Sequence, residues 1–218
     1  MDEILDQKVR SWLERIAVEK STTLVDVARQ FAKEEIANRL QFYPAMQDAL
    51  KSAPFETKTF AQAAKKAHVF QGRFDAIQLS SFTSHAGSNQ EVTKLVDDFP
   101  ERDVEAATRI QAFVEQCLSL GYGESRANAG LLASTILTVA FPKRFVDFRK
   151  AWWEGFATEL GTERFEGAHP TYGEMIVEAG HFAAQVVAAE TFRELWPNGE
   201  PMWTIAGICW KAKDRKRH

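Results

Sequence analysis

Residues 104–141 read VEAATRIQAFVEQCLSLGYGESRANAGLLASTILTVAF, and the fold turns on how that run is parsed. Asp103 can cap a helix from Val104 to Leu120, which the Gly121-Tyr122-Gly123 turn stops. A second, unusually apolar helix runs from Glu124 to Phe141, and Pro142 closes it. Its apolar core, Leu131 to Phe141, falls well short of the roughly 18 residues a membrane span needs, so it reads as a helix buried in protein. Outward from this pair the same period continues. Asp147 to Leu160 predicts a third helix, ended by Gly161, and Tyr172 to Leu195 a fourth, followed by the Pro197-Asn198-Gly199 turn. A last helix starts near Pro201 and enters the basic tail.

Upstream, Ser88 with Glu91 has the spacing of a capping box, for a helix that ends before Pro100. Ile4, Leu5, Val9, Trp12, Leu13 and Ile16 mark the inner face of a first helix. Ser21-Thr22-Thr23 offers an N-cap for a second, carrying Val25, Val27, Phe31, Ile36 and Leu40. Pro44 fits the first turn of a short helix through Leu50. Thr57 to His68 suits another, while residues 69–84, with β-branched and aromatic side chains around Gly72, read as a loop or a small irregular or β element. The expected fold is therefore all-α, a bundle of neighbouring helices joined by short connections. A soft boundary near Ala86-Gly87-Ser88 divides an N-terminal helical lobe (1–86) from a C-terminal bundle (87–218), unless the two are continuous.

The composition is that of a globular protein, 45% hydrophobic and 26% charged, with 16 Phe and 6 Trp to anchor a core. Net charge is −3 but unevenly spread: residues 101–210 hold nine Lys/Arg against fifteen Asp/Glu, and the last eight hold five against one. Bulk charge thus gives no reason to expect nucleic-acid binding, which would need a local patch. Cys117 and Cys209 sit in apolar helical stretches and read as small buried hydrophobes. The acidic Met1-Asp2-Glu3 start has no signal-peptide character, and a cytoplasmic protein is expected.

Catalytic signatures do not emerge. GxxxxGK[ST] is absent, and Gly121-Tyr122-Gly123 fails as a dinucleotide fingerprint because Arg126 takes the third glycine position. Neither HExxH nor CxxC occurs, so neither metal nor cofactor is expected. His85 near Ser81, Thr83 and Ser84 lacks a nucleophile elbow, and Asp97-Asp98 points two carboxylates apart at a helix end. Asp6-Gln7-Lys8 and Asp214-Arg215-Lys216 match acid-x-Lys, yet neither lies on a strand as a metal-dependent nuclease requires. Thr23 to Arg29 starts like a helix-turn-helix, but no turn follows.

One stretch stands apart. Phe141-Pro142-Lys143-Arg144-Phe145-Val146-Asp147-Phe148-Arg149-Lys150-Ala151-Trp152-Trp153 gathers four cations and five aromatic rings in the most acidic part of the chain. Cations can contact phosphates and ring faces can stack unpaired bases. Equally, the rings can be core and the cations a solvated rim. On a helix starting near Asp147, Phe148, Trp152 and Phe156 share an inward face, with Arg149, Lys150 and Trp153 to its sides.

The segment from Glu101 to Gly161 resembles the N-terminal helical region ahead of the motor in McrB-like AAA+ NTPases of modification-dependent restriction and phage defence. The resemblance rests on Ala107-Thr108-Arg109-Ile110-Gln111-Ala112-Phe113, on Leu131-Leu132-Ala133-Ser134, and on Phe141-Pro142-Lys143-Arg144-Phe145 with Phe148-Arg149-Lys150. Phe145 and Phe148 stand where tyrosines are common in such proteins. Met202-Trp203-Thr204-Ile205-Ala206-Gly207-Ile208-Cys209-Trp210 is similar to the last helix before the motor. The resemblance implies a non-catalytic targeting domain, and the family's GTP or ATP hydrolysis belongs to a motor that these 218 residues do not contain.

Three functions stay open. The chain is a targeting domain contacting DNA through Lys143, Arg144, Arg149, Lys150 and Trp153. Or it is an interaction domain docking on an AAA+ motor or partner subunit through Trp203, Trp210, Lys211 and Lys213. Or it is an enzyme whose site has no linear motif.

Overall fold

The computed structural model describes residues 3–70, 73–85, 87–122, 125–162, 171–198 and 201–214; of 34–35, 73–76 and 210–214 it describes the backbone alone. Among the described residues there are twelve α-helices: α1 (Glu3–Glu19), α2 (Leu24–Phe31), α3 (Ala37–Lys51), α4 (Thr57–Lys66), α5 (Arg73–Ser84), α6 (Ser88–Val96), α7 (Asp103–Ser119), α8 (Arg126–Ala140), α9 (Lys150–Glu159), α10 (Tyr172–Val187), α11 (Glu190–Leu195) and α12 (Pro201–Asp214). The all-α expectation holds, with no strand among the described residues.

The apolar helix after Gly123 forms the centre. In α8 every residue from Ala129 to Val139 is buried, so its apolar character on all sides has a cause in its neighbours α3, α5, α6, α7 and α10. Ser125 caps it, accepting from the Asn128 N–H. A chain of ring contacts ties the outer helices to this layer: Phe31 to Trp12 at 6.1 Å, Trp12 to Phe156 at 5.2 Å, and Phe156 to Phe182 at 6.0 Å. One contiguous cluster of buried side chains draws on both sides of residue 86, and α1 packs on α10 and α11. Among the described residues no helix is long and apolar enough to cross a membrane.

Several expectations need correcting. Residues 73–84 are helix α5 and not a loop or β element. Gln78, Leu79 and Phe82 are buried there, so packing against α4 and α8 overrides the weak helix preference of a Ser/Thr-rich run. Pro44 lies inside α3, not at a helix start. Helix α9 begins at Lys150; Asp147 and Phe148 precede it in non-helical backbone, although Phe148, Trp152 and Phe156 are all buried. The stretch 172–195 breaks at Ala188-Ala189 into α10 and α11. Ser88 opens α6 without capping it; its hydroxyl donates to the His85 carbonyl.

A π-helical segment, Ala32–Ile36, joins α2 to α3. Inward residues on the α2 side are Val27, Ala28 and Phe31; on the α3 side they are Ile36, Arg39, Tyr43 and Met46. The five-residue step from Phe31 to Ile36 would leave an α-helix out of phase, and the wider π turn absorbs it. That rephasing puts Arg39 in the core, while Val25, on the outer face of α2 away from Val27, Ala28 and Phe31, is 54% exposed.

Helices α7 and α10 run antiparallel, since Gln111 accepts from the Gly173 N–H and His181 meets Asp103. Their backbones nearly touch: a Cβ on Gly173 would lie 1.9 Å from the Ala107 carbonyl oxygen. Gly173→Ala must therefore push two helices apart, and a loss of about 1–3 kcal/mol or more is expected in urea melts. Gly155→Ala in α9 meets nothing within 4 Å, so there the better helix propensity should add up to about 1 kcal/mol.

Candidate nucleic-acid interface

The segment 141–153 divides into a buried half and a surface half. Phe141 ends α8, its N–H donating to the Leu137 carbonyl at 2.7 Å, and a tight turn brings Phe145 N–H back to the Phe141 carbonyl at 3.1 Å. Phe145, Val146, Asp147 and Phe148 then run through the core. The Ser134 hydroxyl oxygen accepts from the Phe148 N–H at 2.9 Å, and the Asp147 carbonyl accepts from the Trp153 indole at 2.9 Å. These two bonds fix the segment to α8 and to the first turn of α9.

At its centre the Asp147 carboxylate, fully buried, accepts from the Tyr43 hydroxyl and lies 3.8 Å from Arg39 Nε. Burial pushes the Asp147 carboxyl above its usual range, against the downward pull of Arg39, Tyr43 and Thr135. Burial likewise pushes the Tyr43 phenol well above its ordinary value, helped by the Asp147 charge. The Trp203 ring meets Tyr43 edge-on at 5.1 Å, and its indole donates to the Thr138 carbonyl at 3.1 Å. This buried polar centre joins α3, α8, the 141–149 segment and α12.

That placement revises the site drawn from sequence. Trp153 is fully buried and Trp203 nearly so, because both indole N–H groups are held by backbone carbonyls inside the core. Neither offers a face to a base or a partner. Arg144 is a clamp: it donates to the Pro100 and Glu101 carbonyls at 2.6 and 2.8 Å and to Asp103 at 3.2 Å, lying over Phe99 and Phe145. Its donors are directed at the chain, which takes it out of the phosphate-binding set. The side chains of Trp210, Lys211 and Lys213 lie outside the described residues.

Lys143, Arg149 and Lys150 remain at the surface. Lys143 is exposed, Lys150 has a 3.4 Å ion pair with Glu154, and Arg149 lies half-buried over the Trp152 ring at 5.4 Å. Such an exposed lysine pair contributes at most about 1 kcal/mol, so Glu154 holds Lys150 only weakly. Two residues that the sequence did not single out join them. Tyr172, half-buried at the start of α10, stands edge-on to Phe148 at 6.3 Å, its ring over Gly130, where a Cβ would lie 2.6 Å away. Burial raises the Tyr172 phenol and the Glu154 charge adds to it, while the charges of Lys150, Arg149 and Arg126 pull it back. Arg126 is exposed and paired with Glu115 at 2.9 Å. Around the Tyr172 ring the surface thus brings three of these four cations, Arg126, Arg149 and Lys150, together with the carboxylates of Glu115 and Glu154; Lys143 is not among the charges that act on the ring. Gly130 within an apolar helix was its one sequence signal, marking where a ring would press on the backbone.

Fold and surface together define an all-α scaffold with an aromatic–cationic edge. Among the described residues no three or more His, Cys, Asp or Glu side chains gather as metal ligands. No protein-family model, curated protein or solved structure matches the chain.

Proposed function

We propose that the chain is a recognition domain of a larger McrB-like restriction or anti-phage NTPase, and that it contacts DNA at the edge formed by Tyr172, Arg126, Arg149 and Lys150. The observation that carries this reading is the half-buried Tyr172 ring, set against Gly130 and edge-on to Phe148 at 6.3 Å, on a surface where Arg126, Arg149 and Lys150 outnumber the one carboxylate, Glu154, that also acts on its phenol. A flat ring beside guanidinium and ammonium groups suits a base stacked on the aromatic face with its phosphates on the cations. Arg149 and Lys150 also belong to the aromatic–basic pair that carries the family resemblance, so the resemblance and the geometry meet at one place. On this reading the chain chooses a target and leaves nucleotide hydrolysis to the motor. Sustained GTP or ATP turnover by the pure protein would contradict that division.

Replacing Tyr172 tests the stacking. Tyr172→Leu should weaken binding of a labelled single strand by about 1–3 kcal/mol, while Tyr172→Phe keeps most of it, because the ring and not the hydroxyl carries the contact. Fluorescence anisotropy gives both numbers, and thermal melts check that each variant is folded. Equal loss in both variants would assign the contact to the hydroxyl and remove stacking from the account.

A further inference from the structure

A second surface lies between α7 and α10, and it has the opposite chemistry. A groove of about 750 Å³ is lined on one side by Asp103, Val104, Ala107 and Gln111, and on the other by Glu174, Val177, Glu178 and His181. It exists because Gly173 and Ala107 let the two helices touch, so the flanking side chains become walls above a shallow floor. Each wall repeats at three- and four-residue steps over two helical turns, which gives the groove the length and direction of a helix. Val104, at its edge, is 76% exposed, a large apolar side chain standing in water.

The walls are acidic. Asp103, Glu174 and Glu178 line the groove, and among the described residues no Lys or Arg does. Asp103 is shared by Arg144 and His181, and Glu174 closes the capping box with Thr171. Glu178 has no hydrogen bond or ion pair to any described residue, although it is partly buried. We propose that this groove seats a basic amphipathic helix of a protein partner, with apolar residues at i, i+3 or i+4 and i+7 on Val104, Ala107 and Val177, and Lys or Arg opposite Glu178 and Glu174. An acidic groove repels nucleic acid and lipid phosphates, and apolar spacing of this kind is how helices are read by grooves. The inference does not depend on the DNA reading: the residues tested below are not among Tyr172, Arg126, Arg149 and Lys150.

The test uses the whole chain and three labelled peptides: a helical peptide with leucines at three- and four-residue spacing flanked by lysines, the same peptide with glutamates for lysines, and a scrambled basic peptide of equal charge. Anisotropy should show the first binding at least tenfold tighter than either other. Val104→Asp and Glu178→Lys should each cost at least tenfold, with melting temperatures unchanged; if Glu178→Lys fails to fold, Glu178→Gln should still weaken binding several-fold. No binding, equal binding of the scrambled peptide, or binding that survives both substitutions overturns the proposal. So does a concentration-dependent dimer in sedimentation that Val104→Asp dissociates, because the occupant would then be a second copy.

Discussion

Above about pH 10 the protein should unfold without any added denaturant. Burial raises the Cys209 thiol well above its ordinary value of 9.0 and the Tyr43 phenol well above 10.0, and it raises the Cys117 thiol strongly, with the Glu91 charge adding to it. In the unfolded chain these groups lose their protons near their ordinary values, while the native state holds them. The unfolded state therefore binds fewer protons as pH rises, so stability is fully present below pH 9 and falls above it. Each group contributes about 1.4 kcal/mol per pH unit once its unfolded form is ionised. At pH 11 the two thiols and Tyr43 together remove up to about 7 kcal/mol, comparable with the roughly 5–15 kcal/mol that holds most domains together. Far-UV circular dichroism against pH should show helix lost cooperatively between about pH 10 and 11.5. Helix retained at pH 12 would mean that these groups reach water in the native state. Cys117→Ser with Cys209→Ala should delay the transition, after allowance for their lower starting stability.

Asp147→Ala should cost about 3–5 kcal/mol, the usual penalty for removing one member of a buried ion pair. The loss comes less from the missing attraction than from what stays behind, an arginine with no exposed side-chain surface beside an empty space. Asp147→Asn keeps an acceptor for the Tyr43 hydroxyl and should cost less. Replacing both partners by apolar side chains of similar volume, Arg39→Met with Asp147→Leu, should recover much of the stability. Urea melts of the four proteins measure this. A loss under about 1 kcal/mol for Asp147→Ala would show that the buried centre holds nothing together.

This centre also shows where sequence reading stops. The helices were legible because apolar residues recur at helical spacing, and α8 announced its burial by lacking a polar face. Arg39 was not legible, since a charged residue drops out of any apolar pattern and the π turn shifts the phase after Phe31. Leu40 stood in its place in the reading, yet Leu40 is only partly buried and Arg39 faces the core. Helix α5 was hidden for the opposite reason: its Ser and Thr residues argue locally for a loop, and only Phe82 and Leu79 packing on distant helices decides otherwise. At the candidate interface, the aromatic and basic residues were found but not sorted. Spacing alone does not tell that Trp153 bonds to the Asp147 carbonyl or that Arg144 reaches back to Pro100. Tyr172 and Arg126 come from far along the chain and meet Arg149 only in the fold.

The salt dependence of DNA binding tests the central claim most directly. Each phosphate neutralised by a cation adds about −0.9 to the slope of log K against log salt on duplex DNA. Arg126, Arg149 and Lys150 should thus give a slope no steeper than about −2.7, and Arg149→Ala with Lys150→Ala should flatten it by about 1.8, with thermal melts confirming that the variant, which loses the Arg149–Trp152 contact, is still folded. Anisotropy titrations of duplex, single-stranded and modified DNA from low to moderate salt supply the slopes. Absence of binding to all three at low salt, or a slope that the double substitution leaves intact, would contradict recognition at this edge.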